Sequence, residues 1–137
     1  MIYIIDGEKG SGKTKKIIDK ANSILSESKG DTVFLSTTIR YRAEVKPQIK
    51  FINTISEGIT SKDLLFGFLK GMHAANYDIE HIFIDGVYKM MKVEIDSNEM
   101  SELFMLLENL SANAGINFTL TISCDRSKLP AFIAKYL

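Results

Sequence analysis

Cysteine occurs once in this chain, at Cys124. No intramolecular disulfide can form, and no cysteine-rich metal site can be built. Histidine is nearly as scarce. His73 and His81 are too few and too widely separated for a metal site, and ordinary surface or boundary roles are expected of both. An excess of charge of one sign is also missing: 17 basic residues balance 17 acidic ones. That balance removes any global drive toward nucleic acid or an anionic membrane, though it permits a local basic patch. No apolar run approaches the roughly 18 residues that a membrane span needs. No basic leader precedes the first apolar segment, so a cytoplasmic protein with no membrane partner is expected. Repeats, low-complexity tracts and linkers are absent. The 137 residues, 45% hydrophobic and 25% charged, suit a single globular domain over 1–137. A domain of that size buries about two-thirds of its unfolded surface.

Gly7-Glu8-Lys9-Gly10-Ser11-Gly12-Lys13-Thr14 is the strongest positive signal. It fits G-x-x-x-x-G-K-[ST], a loop that binds the phosphates of nucleoside triphosphates. Glycines let the backbone fold tightly around an anion with N–H groups turned inward. The helix that follows adds unpaired N–H groups and its positive dipole end. Lys13 is placed to reach the β- and γ-phosphates, and the Thr14 hydroxyl to complete a Mg²⁺ shell. Without a ligand, Lys13 is expected to face solvent.

The surrounding sequence alternates strand and helix, which predicts a three-layer α/β/α sandwich around a mainly parallel five-stranded sheet. Ile2 to Asp6 reads as the first strand. Ile17, Ile18, Ala21, Ile24 and Leu25 form one face of a helix over 13–28, with Gly30 suited to its end. Thr32 to Ser36 is a strand. A polar connection over 37–48 carries Arg40, Arg42 and Lys46, and Ile49 to Ile52 is a short strand. Thr60-Ser61-Lys62-Asp63 carries a capping pattern, and Leu64, Leu65, Phe68, Leu69 and Met72 form the buried stripe that follows. A fourth strand covers Ile79 to Asp85. Asp96 and Glu99 are spaced to cap a third helix whose Met100, Leu103, Phe104, Leu107 and Leu110 face inward, and Gly115 ends it. Ile116 to Ser123 is the fifth strand, although Phe118, Leu120 and Ile122 alternating with Thr119 and Thr121 fits a central strand less well. Pro130 suits the first turn of a short last helix reaching Leu137.

Ile82-Phe83-Ile84-Asp85 is a second constellation: an apolar strand ending in an acid. Mg²⁺ is a hard cation that takes few protein oxygens beside nucleotide phosphates, so a carboxylate there is apt. Ligands of open parallel sheets sit at the carboxyl ends of strands, where both Asp85 and the glycine-rich loop fall. Asp85 in that position resembles the Walker B acid. The plainer alternative is an aspartate that starts a turn before Gly86.

Together these motifs resemble the P-loop NTPase superfamily over nearly the whole chain. The order of elements is similar to the RecA-like, or additional-strand, division. There a strand after Walker B inserts beside the first strand and presents a polar sensor, as Thr121-Ile122-Ser123-Cys124-Asp125 would. The chain also resembles short stand-alone bacterial P-loop proteins labelled twitching-motility-like ATPases, without the further acidic and histidine motifs of retraction ATPases. The resemblance implies ATP and Mg²⁺ as ligands, Lys13 and Asp85 in the reaction, and Thr14 and Asp85 at the metal.

Departures sharpen the expectation. The Asn-Lys-x-Asp guanine motif of GTPases is absent. The deviant Walker A of chromosome-partitioning ATPases needs lysine where Glu8 stands. Many relatives place a catalytic glutamate directly after the Walker B aspartate, where this chain has Gly86. Glu44, Glu57 or Asp125 could stand in as the base, and the sequence does not select among them. The expected function is therefore an ATP-binding protein with weak or partner-regulated ATPase activity, a nucleotide switch or an assembly subunit. A homo-oligomer or a protein partner would fit that role. The alternatives are a small-molecule phosphotransferase of the nucleoside-kinase kind and a module that holds nucleotide without turnover. One cysteine excludes the zinc lasso of thymidine kinases.

Three smaller features have two readings each. Arg40 and Arg42 are either solvated loop charges or arginine fingers for a neighbouring subunit. Val87-Tyr88-Lys89-Met90-Met91 is either an ordinary packed segment or a partner surface. Cys124 reads as a small residue near a strand end rather than a reactive thiol.

Overall fold

A computed structural model describes all residues, Met1 to Leu137. The elements run β1 (Ile2–Gly7), α1 (Lys13–Ile24), β2 (Asp31–Ser36), β3 (Lys50–Asn53), α2 (Lys62–Ala75), β4 (Ile79–Asp85), α3 (Val87–Met91), α4 (Asn98–Ala114), β5 (Asn117–Ser123) and α5 (Ala131–Ala134). Single 3₁₀ turns lie at Arg42–Glu44 and Arg126–Lys128. No helix is long and apolar enough to cross a membrane.

The five strands form one sheet in the order β1-β5-β4-β2-β3, every pairing parallel. Parallel neighbours require crossovers, and helices supply them on both faces. On one face α1 covers Phe34 and Phe83 with Ile17, Ile18 and Ala21. On the other, α2, α3, α4 and α5 bury Val33, Leu35, Ile82, Ile84, Leu120 and Ile122. The expected three-layer α/β/α architecture is the observed one.

β5 is central, inserted between β1 and β4, so both faces of it are covered. The alternating threonines are not a solvent face: Thr119 and Thr121 are each 3% exposed. The alternation misleads because Thr121 spends its hydroxyl on internal hydrogen bonds, which makes burial tolerable.

Several local expectations shift. α1 stops at Ile24 rather than Ser28, and Gly30 caps nothing; its N–H donates to the Glu80 carboxylate at 2.7 Å. In α2 the Ser61 hydroxyl caps Leu64 N–H, and the inward stripe is Leu65 and Leu69 with half-buried Phe68 and Met72 against the core, while Leu64 is 52% exposed. α4 is capped by Ser97, whose hydroxyl accepts from Met100 N–H, and not by Asp96, which lies one residue outside. Glu99 sits in the first turn, where its charge complements the helix dipole. Gly115 ends α4 in the left-handed conformation as expected. The last helix is a single turn with Pro130 as its cap, short of Leu137. The 87–91 segment is α3, with Val87, Met90 and Met91 buried, so its apolar side chains are core rather than a free partner surface.

Candidate functional site

The glycine-rich loop joins β1, an edge strand, to α1. A Cβ on Gly7 would lie 2.4 Å from Ser11 Oγ, and its φ of +150° disfavours any other residue, so only glycine permits the loop to close on itself here. Residues 8–12 are exposed. Within the loop Ser11 N–H donates to the Glu8 carbonyl at 3.1 Å. The Lys13 ammonium donates to the same carbonyl at 2.8 Å.

Lys13 does not face solvent, contrary to the sequence expectation; it is 7% exposed. The side chain folds back over the loop, so its charge is already desolvated. Burial pushes its pKa below the usual lysine value, Asp85 opposes that shift, and Lys89 on α3 adds to it. The hydrogen bond of this cation goes to a neutral carbonyl rather than to a carboxylate.

β4 delivers Asp85 to the same carboxyl end of the sheet. Thr14, at the second position of α1, donates its hydroxyl to Asp85 Oδ2 at 3.0 Å. The Thr121 hydroxyl of β5 donates to Asp85 Oδ1 at 2.7 Å and accepts from Gly86 N–H at 2.9 Å. Asp85 is thus held on both oxygens. Thr121 was expected only as part of a polar strand end; its pairing with Asp85 depends on β5 lying next to β4. Thr14 and Asp85 supply hard oxygen donors, which fits Mg²⁺. No cluster of three His, Cys, Asp or Glu exists to hold a metal unaided.

Gly86 has φ +84°, a conformation that a glutamate there would adopt only with strain. A Cβ would start 3.4 Å from Thr37 Oγ1. Ser36 pairs in register with Asp85, so the first residues after β2 border the acid. Sequence reasoning missed Thr37; the only signal was a run of hydroxyls, Ser36-Thr37-Thr38, at a strand's carboxyl end.

The three candidate bases lie on three different segments of the chain. Glu44 lies in the 3₁₀ turn, and its carbonyl accepts from Asn22 at 2.9 Å. Asn22 is nine residues along α1 from Lys13, about 14 Å at 1.5 Å per residue, so Glu44 is carried away from the loop. Glu57 follows β3 at the far sheet edge, two strand spacings from β4, about 10 Å. Asp125 is the nearest: Cys124 N–H donates to the Gly7 carbonyl at 3.0 Å. Its carboxylate accepts from Ser127 N–H and hydroxyl at 2.9 and 3.0 Å, and these bonds hold its pKa low. Arg40 is exposed on the segment after β2, while Arg42 lies over the Phe51 ring at 5.8 Å. His73 and His81 do not meet in a metal-binding group.

One further pair borders the loop. Arg126 makes two hydrogen bonds to Asp6, Nη2 to Oδ1 at 2.8 Å and Nε to Oδ2 at 3.0 Å. The guanidinium holds the Asp6 carboxyl below its usual pKa. This clamp ties the segment after β5 to the residue immediately before Gly7.

No family model matches the chain, and no curated protein matches it. Among solved structures it is similar to the flagellar accessory protein FlaH of Methanocaldococcus jannaschii, with a TM-score of 0.62 and 14% identity over 98% of this chain. The chain spans 65% of the length of that protein. At such identity the likeness shows the fold alone: a five-stranded parallel sheet, with β5 inserted between β1 and β4, covered by helices on both faces.

Proposed function

We propose that this chain binds ATP with Mg²⁺ at the Gly7–Thr14 loop and turns it over slowly, or only with a partner's help, serving as a nucleotide switch or assembly subunit. The observation that carries the reading is the 3.0 Å contact between Thr14 and Asp85, which unites the two motifs at one point. Bound Mg²⁺ would neutralise charge on the β- and γ-phosphates, held through Thr14 and Asp85. The loop's backbone N–H groups and the start of α1 bind the phosphates. Lys13 exchanges the Glu8 carbonyl for phosphate oxygens. Thr121 keeps Asp85 oriented and satisfies Gly86 N–H.

Slow turnover follows from what borders the acid. Gly86 offers no carboxylate, Thr37 offers only a hydroxyl, and Asp125 has one of its oxygens bonded twice by Ser127. The same observation favours, as a second reading, a module that holds nucleotide without turnover. The accessory role printed for the archaeal neighbour is in keeping with an assembly subunit. A calorimetric screen of ATP, GTP and ADP with and without Mg²⁺, run beside steady-state phosphate release, tests the proposal. Mg²⁺-dependent ATP binding with slow release supports it; binding with no release at all supports the second reading. No triphosphate binding overturns both, and transfer of label from ATP to a nucleoside would point to a phosphotransferase instead.

A further inference from the structure

β3 ends the sheet on the side opposite β1, and its outer edge pairs with no strand. Its backbone N–H and C=O groups on that side form a short open ladder. Two depressions flank this edge and meet at Gln48 and Lys50. One, of about 600 Å³, lies on the face where Phe51 packs with the α1 cluster. Arg42 and Lys46 line it, Lys50 borders both depressions, and no acid lines the first. The other, of about 530 Å³, lies on the α2 face and is walled by Val33, Ile52, Phe68 and Met72. Its single acid, Asp31, accepts a hydrogen bond from Asn76 at 2.7 Å.

Successive side chains of an extended strand point to opposite faces of a sheet. A strand added to β3 would therefore send alternate side chains into a basic depression and an apolar one. We propose that the β3 edge docks an extended peptide segment of a partner protein in which acidic and apolar residues alternate. Main-chain bonds to β3 would supply affinity, and the two depressions would supply specificity. Charge argues against a second copy of this chain as the occupant. Two β3 edges brought together would oppose Arg42, Lys46 and Lys50 with their own duplicates, and a lysine on an edge strand discourages self-pairing. A nucleic acid would leave both the backbone ladder and the apolar depression unused. The proposal concerns the sheet edge remote from β1 and does not rest on nucleotide binding.

The test uses the whole chain and a short fluorescein-labelled peptide alternating glutamate and valine, followed by fluorescence anisotropy. Saturable binding is expected, with amide exchange slowed at Phe51–Asn53. The double charge reversal Arg42→Glu/Lys46→Glu, checked for folding by circular dichroism, should weaken binding at least tenfold. Methylating alternate peptide nitrogens to block pairing should abolish it. The idea fails if the glutamate–valine peptide does not bind, if a lysine–valine or all-glutamate peptide binds as well, or if the methylated peptide binds unchanged. Displacement of the peptide by tighter-binding oligothymidylate would make the edge a nucleic-acid surface and would equally overturn it.

Discussion

The Thr14 hydroxyl donates to the Asp85 carboxylate across 71 residues of sequence, and Thr121 donates to the other oxygen of the same group. Both threonines lie on elements that touch only because β5 is inserted between β1 and β4. If Thr14 and Asp85 serve one Mg²⁺, then Asp85→Asn and Thr14→Ala should each lower the Mg²⁺ dependence of ATP binding. The double variant should lose less than the sum, because contacting residues couple. Titrations of the four proteins with and without Mg²⁺ decide this; strictly additive losses would count against a shared ion.

Lys13→Ala should weaken Mg·ATP binding at least tenfold, roughly 1.4 kcal/mol or more. Because Lys13 is buried and bonded to the Glu8 carbonyl, the variant should also loosen the empty loop. Faster amide exchange over 8–13 with an unchanged global unfolding midpoint is the expected signature. Unaltered calorimetric affinity in the folded variant would remove the basis for phosphate binding.

Thr121→Val keeps the shape of a buried side chain but deprives Asp85 of a donor and Gly86 N–H of its acceptor. The cost of leaving such groups unsatisfied is about 1–3 kcal/mol. Urea unfolding should show that loss with little change in slope, and ATP affinity should fall through misorientation of Asp85. A variant as stable as the parent would mean that water serves these groups equally well.

Turnover by the isolated chain should lie well below the roughly 1–10³ s⁻¹ typical of enzymes, since Gly86 stands where a water-orienting carboxylate would follow Asp85. If exposed Arg40 completes a neighbouring site, phosphate release per chain should rise with protein concentration and Arg40→Ala should remove the rise. A fast rate independent of dilution would show that the chain already contains its base.

Asp6 titrates below its unfolded value because Arg126 stabilises the carboxylate. Its contribution to stability is therefore fully present above the ordinary aspartate pKa near ~3.9 and is lost as pH falls toward the depressed folded value. Arg126→Gln should raise the Asp6 pKa, read by carboxyl NMR, and shrink the stability that the protein loses on acidification over that range. An Asp6 titration unmoved by the substitution would rule out the clamp.

Gly7 to Thr14 and the apolar strand ending at Asp85 were legible in the sequence because each is local: a turn chemistry, a run of apolar residues, a helix period. The α/β class followed from the same local alternation. Other features were not legible because burial, rather than residue type, decides them. Thr121 reads as a polar position but is interior, since its hydroxyl is shared between Asp85 and Gly86. Lys13 reads as a free cation but is folded onto Glu8. Leu64 reads as core but lies outside the α2 stripe. Asp96 reads as the cap of the third helix but Ser97 takes that place, because one residue of register decides which oxygen reaches the third N–H. The sequence left Glu44, Glu57 and Asp125 open as bases because their places depend on loops after three different strands, which only the tertiary structure positions. Sequence alone determined the glycine-rich loop, the acidic strand end and the layered class, because these depend on neighbours along the chain. Strand order, the threonine frame around Asp85 and the exposed β3 edge were decided only in the tertiary structure, where parallel crossovers set which distant residues meet.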